Sequence, residues 1–120
     1  YAAMSRACAA AKVRRVVVVG GGDDSRADLR RRALDWPAPE VVLVEGKRRP
    51  DSARARAKVQ GADLVVLWGS TIVSHAETDV WKAAAEAAGT PVITVGSGQK
   101  GVASLARGIT EWVGRYSRAE

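Results

Sequence analysis

The stretch that decides the fold is residues 15–22, which read RVVVVGGG. A continuous run of β-branched residues is typical of a strand buried on both faces, as in parallel sheets that helices cover on both sides. The three glycines that follow predict a tight turn at the carboxyl end of this strand. We therefore predict a first strand that begins at Arg15, inside an α/β domain.

Three more short apolar runs follow the first one, at residues 41–44, 64–68 and 92–95. The segments between them carry helix signals. Ser25 is predicted to be the N-cap of a helix through Trp36, which Pro37 ends. Ser74 and Glu77 form an S-x-x-E capping box that opens a helix through Ala88. The last helix has one apolar face, made by Val102, Leu105, Ile109, Trp112 and Val113.

Residues 53–59 are ambiguous, because alanine and valine alternate there with arginine and lysine at the period of a strand. Alanine, arginine and lysine are nevertheless good helix formers, and Pro50-Asp51-Ser52 supplies start signals. We therefore predict a short basic helix. Helices that alternate with four strands imply right-handed crossovers and a parallel sheet. The predicted fold is a doubly wound, three-layer α/β sandwich with strand order 2-1-3-4, Rossmann-like or flavodoxin-like.

Length and composition bound the domain organisation. A chain of 120 residues, 47% hydrophobic and 27% charged, suits one globular domain. Residues 1–12, which start at Tyr1 with Met4 just inside, are interpreted as an N-terminal segment or a tag remnant, and residues 13–120 as the domain. No apolar run reaches the roughly 20 residues of a membrane span. Cys8 is the single cysteine and forms no internal disulfide, so the cytoplasm is the expected location.

The formal net charge of +6 comes mainly from arginine. A basic surface attracts nucleic acid and other polyanions. The same arginines, in a chain rich in alanine, are also what a GC-rich genome places on solvated helix faces. Both interpretations stay open, and the basic runs concerned are Arg30 to Arg32, Lys47 to Arg49 and Arg54 to Lys58.

In a sheet of order 2-1-3-4, ligands bind outside the carboxyl ends of the strands, where the chain reverses direction between strands one and three. Gly21 and Gly22 lie there, before a helix whose N-terminus favours an anion. Asp23 and Asp24 would repel a phosphate, so a plain turn is the alternative. Glu45 follows strand two, where an acidic residue of a dinucleotide site would bind a ribose hydroxyl.

Residues 96–101 read GSGQKG, a G-x-G-x-x-G pattern between the fourth strand and the last helix. A dinucleotide fingerprint belongs after the first strand, so that interpretation fails on context. A simpler anion site remains, in which Ser97, Gly98 and Lys100 hold a negative group at the helix N-terminus. The sequence identifies no cofactor.

His75 is the only histidine, and it is predicted in the first turn of a helix, where the helix dipole disfavours its charged form. It is the candidate general base, and Ser70, Ser74 and Ser97 are the candidates for the nucleophile or acid that it would need within reach. The alternative is a histidine that hydrogen-bonds locally near the cap. One histidine with no ligand at a suitable spacing predicts no metal site.

Several segments together resemble a bacterial family of short Rossmann-like domains of unknown function. The resemblance spans about residues 14–109, and its most specific parts are Ala62-Asp63 before strand three and Val73-Ser74-His75 at the next helix. It draws attention to Ser74 and His75 and implies no reaction. Residues 68–71 depart from the Thr-Asp expected there. The segments that carry it are Val16 to Gly21, Gly61 to Val66, Val73 to His75, Gly89 to Pro91 and Ser97 to Leu105.

Three functional hypotheses follow. The first, which we favour, is a regulatory module that binds a small anionic ligand or nucleotide. The second is an enzyme that uses His75 as general base, and the third is a module for polyanion binding or assembly. An open sheet has unpaired edges, and Trp81 and Trp112 exceed what so small a core is expected to cover, so we also expect a homodimer.

Overall fold

A computed structural model of the chain describes residues 1–44, 52–69, 75–95 and 101–119. Five helices alternate with four strands along this part of the chain. No helix in it combines the length and the apolar character that crossing a membrane requires. The elements are α1 (Ala2–Ala10), β1 (Arg15–Gly20), α2 (Asp23–Ala33), β2 (Glu40–Val44), α3 (Ser52–Val59), β3 (Leu64–Trp68), α4 (His75–Ala88), β4 (Val92–Val95) and α5 (Val102–Ala119).

The four strands form one parallel sheet with the order β2-β1-β3-β4. Val16 of β1 pairs with Val41 of β2 on one side and with Leu64 of β3 on the other. The predicted α/β Rossmann-like fold and its strand order are therefore confirmed. The chain moves from β1 to one edge of the sheet and returns to β3 on the other side of β1, so the topological switch lies between β1 and β3.

Helices cover both faces of the sheet and create two cores. Val16 and Val18 join the first core, to which α1, α2 and α5 contribute. Val17 and Val19 join the second core, with α3 and α4. Successive side chains of a strand point to opposite faces, so the unbroken valine run is needed to fill both cores at once.

The boundaries of α2 differ from the prediction. The helix begins at Asp23 with Gly22 as its N-cap, so Ser25 lies in the first turn and is not the cap. It ends at Ala33, and Trp36 lies beyond it with 36% of its surface exposed. Leu29 is the only fully buried residue from Asp24 to Ala33, and one buried residue gives the helix little reason to extend toward Pro37.

Residues 53–59, which the sequence left ambiguous, and the N-terminal segment are both helical. In α3, Ala55 and Val59 lie four residues apart and are both buried, which confirms the predicted helix. The other alanines of the alternating pattern, Ala53 and Ala57, are exposed to solvent. In α1, Met4 and Cys8 are buried at the same spacing. This helix packs against α5 and closes the first core.

Candidate functional site

The carboxyl ends of β1 and β3 lie side by side at the topological switch. Gly20 pairs with Trp68 in the last register of the two strands. The backbone N–H of Gly21 then donates a hydrogen bond of 2.9 Å to the carbonyl oxygen of Trp68. This bond extends the pairing by one residue past the end of β1, so the glycine turn starts from a fixed position at the edge of the sheet.

Gly21 has two structural reasons to be glycine. Its φ is +89°, a conformation that other residues rarely adopt. A Cβ atom built there would lie 2.5 Å from Cε3 of Trp68. The Trp68 indole is itself 2% exposed, so it fills the space beneath the turn. Packing alone therefore accounts for this predicted ligand-binding glycine, and a role in binding stays a prediction.

Gly22 differs from Gly21 in both respects. Its φ of −73° and ψ of 159° are open to any residue, and no atom of a described residue lies within 4 Å of a Cβ built there. As the N-cap residue, Gly22 has no side chain with which to cap α2. The first N–H groups of a helix have no partner within it, and the helix dipole makes this end positive. The backbone N–H groups at the start of α2 thus receive no hydrogen-bond acceptor from the N-cap residue, and they lie at the carboxyl edge of the sheet.

Arg26, in the second turn of α2, is a residue that the sequence analysis missed. Its Cγ atom is 3.1 Å from the position of a Cβ at Gly21, so its stem packs across the glycine turn. Its Nε atom is buried and has no hydrogen-bond partner in the described part of the chain. In a helix with four arginines, the only signal for this one was its position, four residues after Gly22 and one helical turn into α2. That position alone does not show that the side chain packs on the glycine turn.

The other helix N-termini at this edge lie on different faces. The helix α5 begins after Gly101, on the same face as α2, and the two helices contact each other. The helix α4 begins at His75 on the opposite face. The turn of Gly21 and Gly22 therefore shares a face with the start of α5 and is separated from His75 by the edge of the sheet.

Most of the predicted site residues lie outside the part of the chain that the structure describes. This holds for the whole of six candidates and for the side chain of His75, whose backbone starts α4. Their roles in binding or catalysis stay predictions. The residues outside the description are Glu45, Ser70, Ser74, Ser97, Gly98 and Lys100.

The basic runs are distributed over both faces of the sheet. Arg31 and Arg32 in α2 form ion pairs with Asp28. Desolvation acts to raise the pKa of the Asp28 carboxyl, but hydrogen bonds from these two arginines outweigh it and lower the pKa below its ordinary value. The helix α3, which carries Arg54 to Lys58, covers the opposite face. The second run, Lys47 to Arg49, lies outside the described residues.

The homodimer stays a prediction, but one of its supports is wrong. Trp81 is 2% exposed and belongs to the second core, because α4 lays it against the sheet. Trp112 is half-buried against the first core. The apolar side chains that are exposed beside edge strand β2 are instead Leu34 and Trp36, at 84% and 36%.

The resemblance to a bacterial family of short Rossmann-like domains stays a prediction as well. No protein-family profile matches this sequence, and a search of curated proteins returned no match.

Proposed function

We propose that this protein binds a small anionic ligand, such as the phosphate group of a nucleotide, at the carboxyl edge of its sheet. The site consists of the open N-terminus of α2 and the guanidinium group of Arg26. The observation that carries this proposal is the buried Nε of Arg26, which has no acceptor among the described residues.

An unpaired buried donor is costly. Leaving such a group without a partner costs about 1–3 kcal/mol, and more when the group is charged. A phosphate or carboxylate oxygen satisfies it with a charge-assisted hydrogen bond. The position also fits, since Arg26 packs against Gly21 at the switch between β1 and β3, where ligands of doubly wound sheets bind.

The carboxylate of Asp24, in the first turn of α2, does not outweigh this attraction. The side chain of Asp24 is exposed to solvent. Charges in water are screened within about 8 Å at physiological salt, whereas a partly buried charge such as Arg26 is screened much less. The net charge of +6 adds a long-range attraction for an anion.

The rest of the proposed ligand contacts come from the sequence. Ser97, Gly98 and Lys100 precede α5, whose N-terminus lies on the same face as that of α2. They are proposed to hold the same anionic group or a second one. Ser74 and His75 are proposed to contact the remainder of the ligand, since α4 begins at His75 across the edge of the sheet.

Titration of the whole protein with inorganic pyrophosphate tests the anion site. Calorimetry gives the Kd, and thermal unfolding gives the rise in Tm that ligand binding causes. We expect Arg26→Gln to weaken binding at least tenfold. Arg30→Gln is the matched control, because it makes the same charge change on an exposed residue of the same helix. Equal losses in the two variants would mean that only the overall charge matters, and would refute the site.

A second variant tests the helix N-terminus without touching Arg26. Gly22→Asp places a carboxylate in open space at the N-cap, where it accepts hydrogen bonds from the first turn of α2. We expect this variant to unfold at a higher temperature and to bind pyrophosphate at least tenfold more weakly. Undiminished binding in a stabilised Gly22→Asp protein would exclude the N-terminus of α2 from the site.

A further inference from the structure

A cavity lies at the amino edge of the sheet, opposite the carboxyl edge that carries the proposed anion site. Its volume is about 260 Å³. Pockets for drug-sized ligands start at about 300 Å³, so this one suits a smaller molecule. Among the residues that line the cavity are Lys12, Asp63, Trp112 and Tyr116.

Two stacked aromatic rings form one wall. Trp112 and Tyr116 lie one turn apart on α5, with ring centroids 5.0 Å apart and an angle of 12° between the planes. Both line the cavity, and Tyr116 is 39% exposed. Aromatic rings pair with one another in offset stacks or T-shaped contacts. Such pairs gain free energy beyond that from the burial of their apolar surface. This wall therefore favours a flat, unsaturated ligand.

Lys12 adopts an uncommon backbone conformation beside that wall. Its φ is +61°, in the left-handed region. It ends α1 in a Schellman motif, in which the N–H of Val13 donates to the carbonyl of Cys8 at 2.8 Å and that of Lys12 to Ala9 at 3.3 Å. Glycine is the usual residue at this position, because other residues are strained there. Lysine is thus present where local structure favours glycine.

The charges around the cavity favour an anion. The side chain of Lys12 makes no hydrogen bond or ion pair with a described residue. The only nearby carboxylate, among the described residues that line the cavity, is Asp63. Its Oδ2 accepts hydrogen bonds from the backbone N–H groups of Arg14 and Arg15, at 2.7 Å and 3.1 Å. The ammonium group of Lys12 is therefore available to a ligand.

We propose that this cavity binds a small planar aromatic carboxylate, whose ring contacts Trp112 and Tyr116 and whose carboxylate pairs with Lys12. The site is separate from the anion site at the carboxyl edge and does not depend on it. This role accounts for a lysine in the left-handed conformation. Glycine would adopt that conformation with less strain, but it would remove the cation that pairs with the carboxylate.

Benzoate is the probe for the test, with the whole protein labelled with nitrogen-15. One of the indole N–H signals of the four tryptophans is assigned to Trp112 by its loss in Trp112→Phe. We expect benzoate to shift this signal saturably. Cyclohexanecarboxylate, which has the charge but no aromatic ring, and benzamide, which has the ring but no charge, should each bind at least fivefold more weakly.

Variants of Lys12 separate binding from folding. We expect Lys12→Gly to raise the Tm and to weaken benzoate binding at least tenfold, and Lys12→Gln to weaken binding similarly. Lys82→Gln, an exposed change of the same charge on α4, should change binding less than twofold. Pyrophosphate binding should persist in Lys12→Gly. The absence of a saturable shift at Trp112, or wild-type benzoate affinity in both Lys12 variants, would overturn the proposal.

Discussion

Gly21 rests directly on the indole of Trp68, and its backbone N–H donates a hydrogen bond of 2.9 Å to the backbone carbonyl oxygen of the same residue. The end of β1 is thus joined to the end of β3 by a backbone bond and by van der Waals contact. Because Trp68 is 2% exposed and surrounded by the first core, it has little room to move. The shape of the glycine turn, and hence of the proposed anion site, depends on this contact.

Gly21→Ala should therefore destabilise the fold. Overpacking a core costs about 1–3 kcal/mol, and the left-handed conformation adds about 1–2 kcal/mol for a residue with a Cβ. We expect a loss of roughly 2–4 kcal/mol in the free energy of unfolding, measured by urea denaturation. Gly22→Ala is the control and should lose less than about 1 kcal/mol, since only the weaker N-cap changes. Similar losses in both variants would contradict the Trp68 contact.

Arg26→Met should have the opposite effect on stability. It keeps a long apolar stem against Gly21 and removes a buried donor that has no described partner. We expect the free energy of unfolding to rise by about 1 kcal/mol in buffer without multivalent anions. Pyrophosphate should narrow or reverse this difference, because it stabilises only the wild type. A destabilised Arg26→Met protein in anion-free buffer would show that the guanidinium is already satisfied.

Asp63→Ala tests what the carboxylate does in the fold. Asp63 precedes β3 and accepts two backbone hydrogen bonds from the start of β1, so it joins the amino ends of the two central strands. Removal leaves both donors without their acceptor, and we expect a loss of about 1–2 kcal/mol. Asp63→Asn retains one acceptor oxygen and should lose about half as much. Thermal unfolding of the three proteins gives the comparison.

Cys8 makes stability depend on pH in the alkaline range. Burial raises the pKa of its thiol from 9.0 to about 11. The unfolded chain releases this proton near the lower value and the folded chain near the higher one, so stability is complete below pH 9.0 and falls as the pH rises to about 11. Cys8→Ala should lose less stability than the wild type between those values. The hydroxyl of Tyr1, whose pKa desolvation and Cys8 also raise, remains in both proteins and contributes to both curves.

The fold was predictable because its decisive signals are local. The valine run of β1 and the apolar run of β3 are found where the sequence predicts them, with the bounds Arg15–Gly20 and Leu64–Trp68. The start of α2 was not predicted, because Ser25 is a stronger N-cap residue than Gly22 by composition alone. The chain turns at Gly21, whose contact with Trp68 is distant in sequence, and α2 begins directly after Gly22.

The candidate site was less predictable than the fold. Arg26 belongs to the candidate site because its Nε atom is buried and has no described partner. The surroundings of that atom depend on Gly21, Trp68 and the path of α2 together. No pattern within one helix carries this information. The cavity at the amino edge was missed for a similar reason, since Lys12, Asp63 and Trp112 lie on three separate segments.

The parallel sheet also governs how the chain folds. Every strand pair joins segments that a helix separates, and Asp63 bonds to Arg14 across 49 residues. The described strands form no hairpin that could act as a nucleus, so the entropy of closing long loops must be lost before the sheet gains any pairing energy. As the chain is synthesised, the valine strand emerges before β2 and β3 and must stay unpaired until they arrive. Its apolar surface is exposed for that interval, and this protein is therefore most prone to aggregate while it is being made.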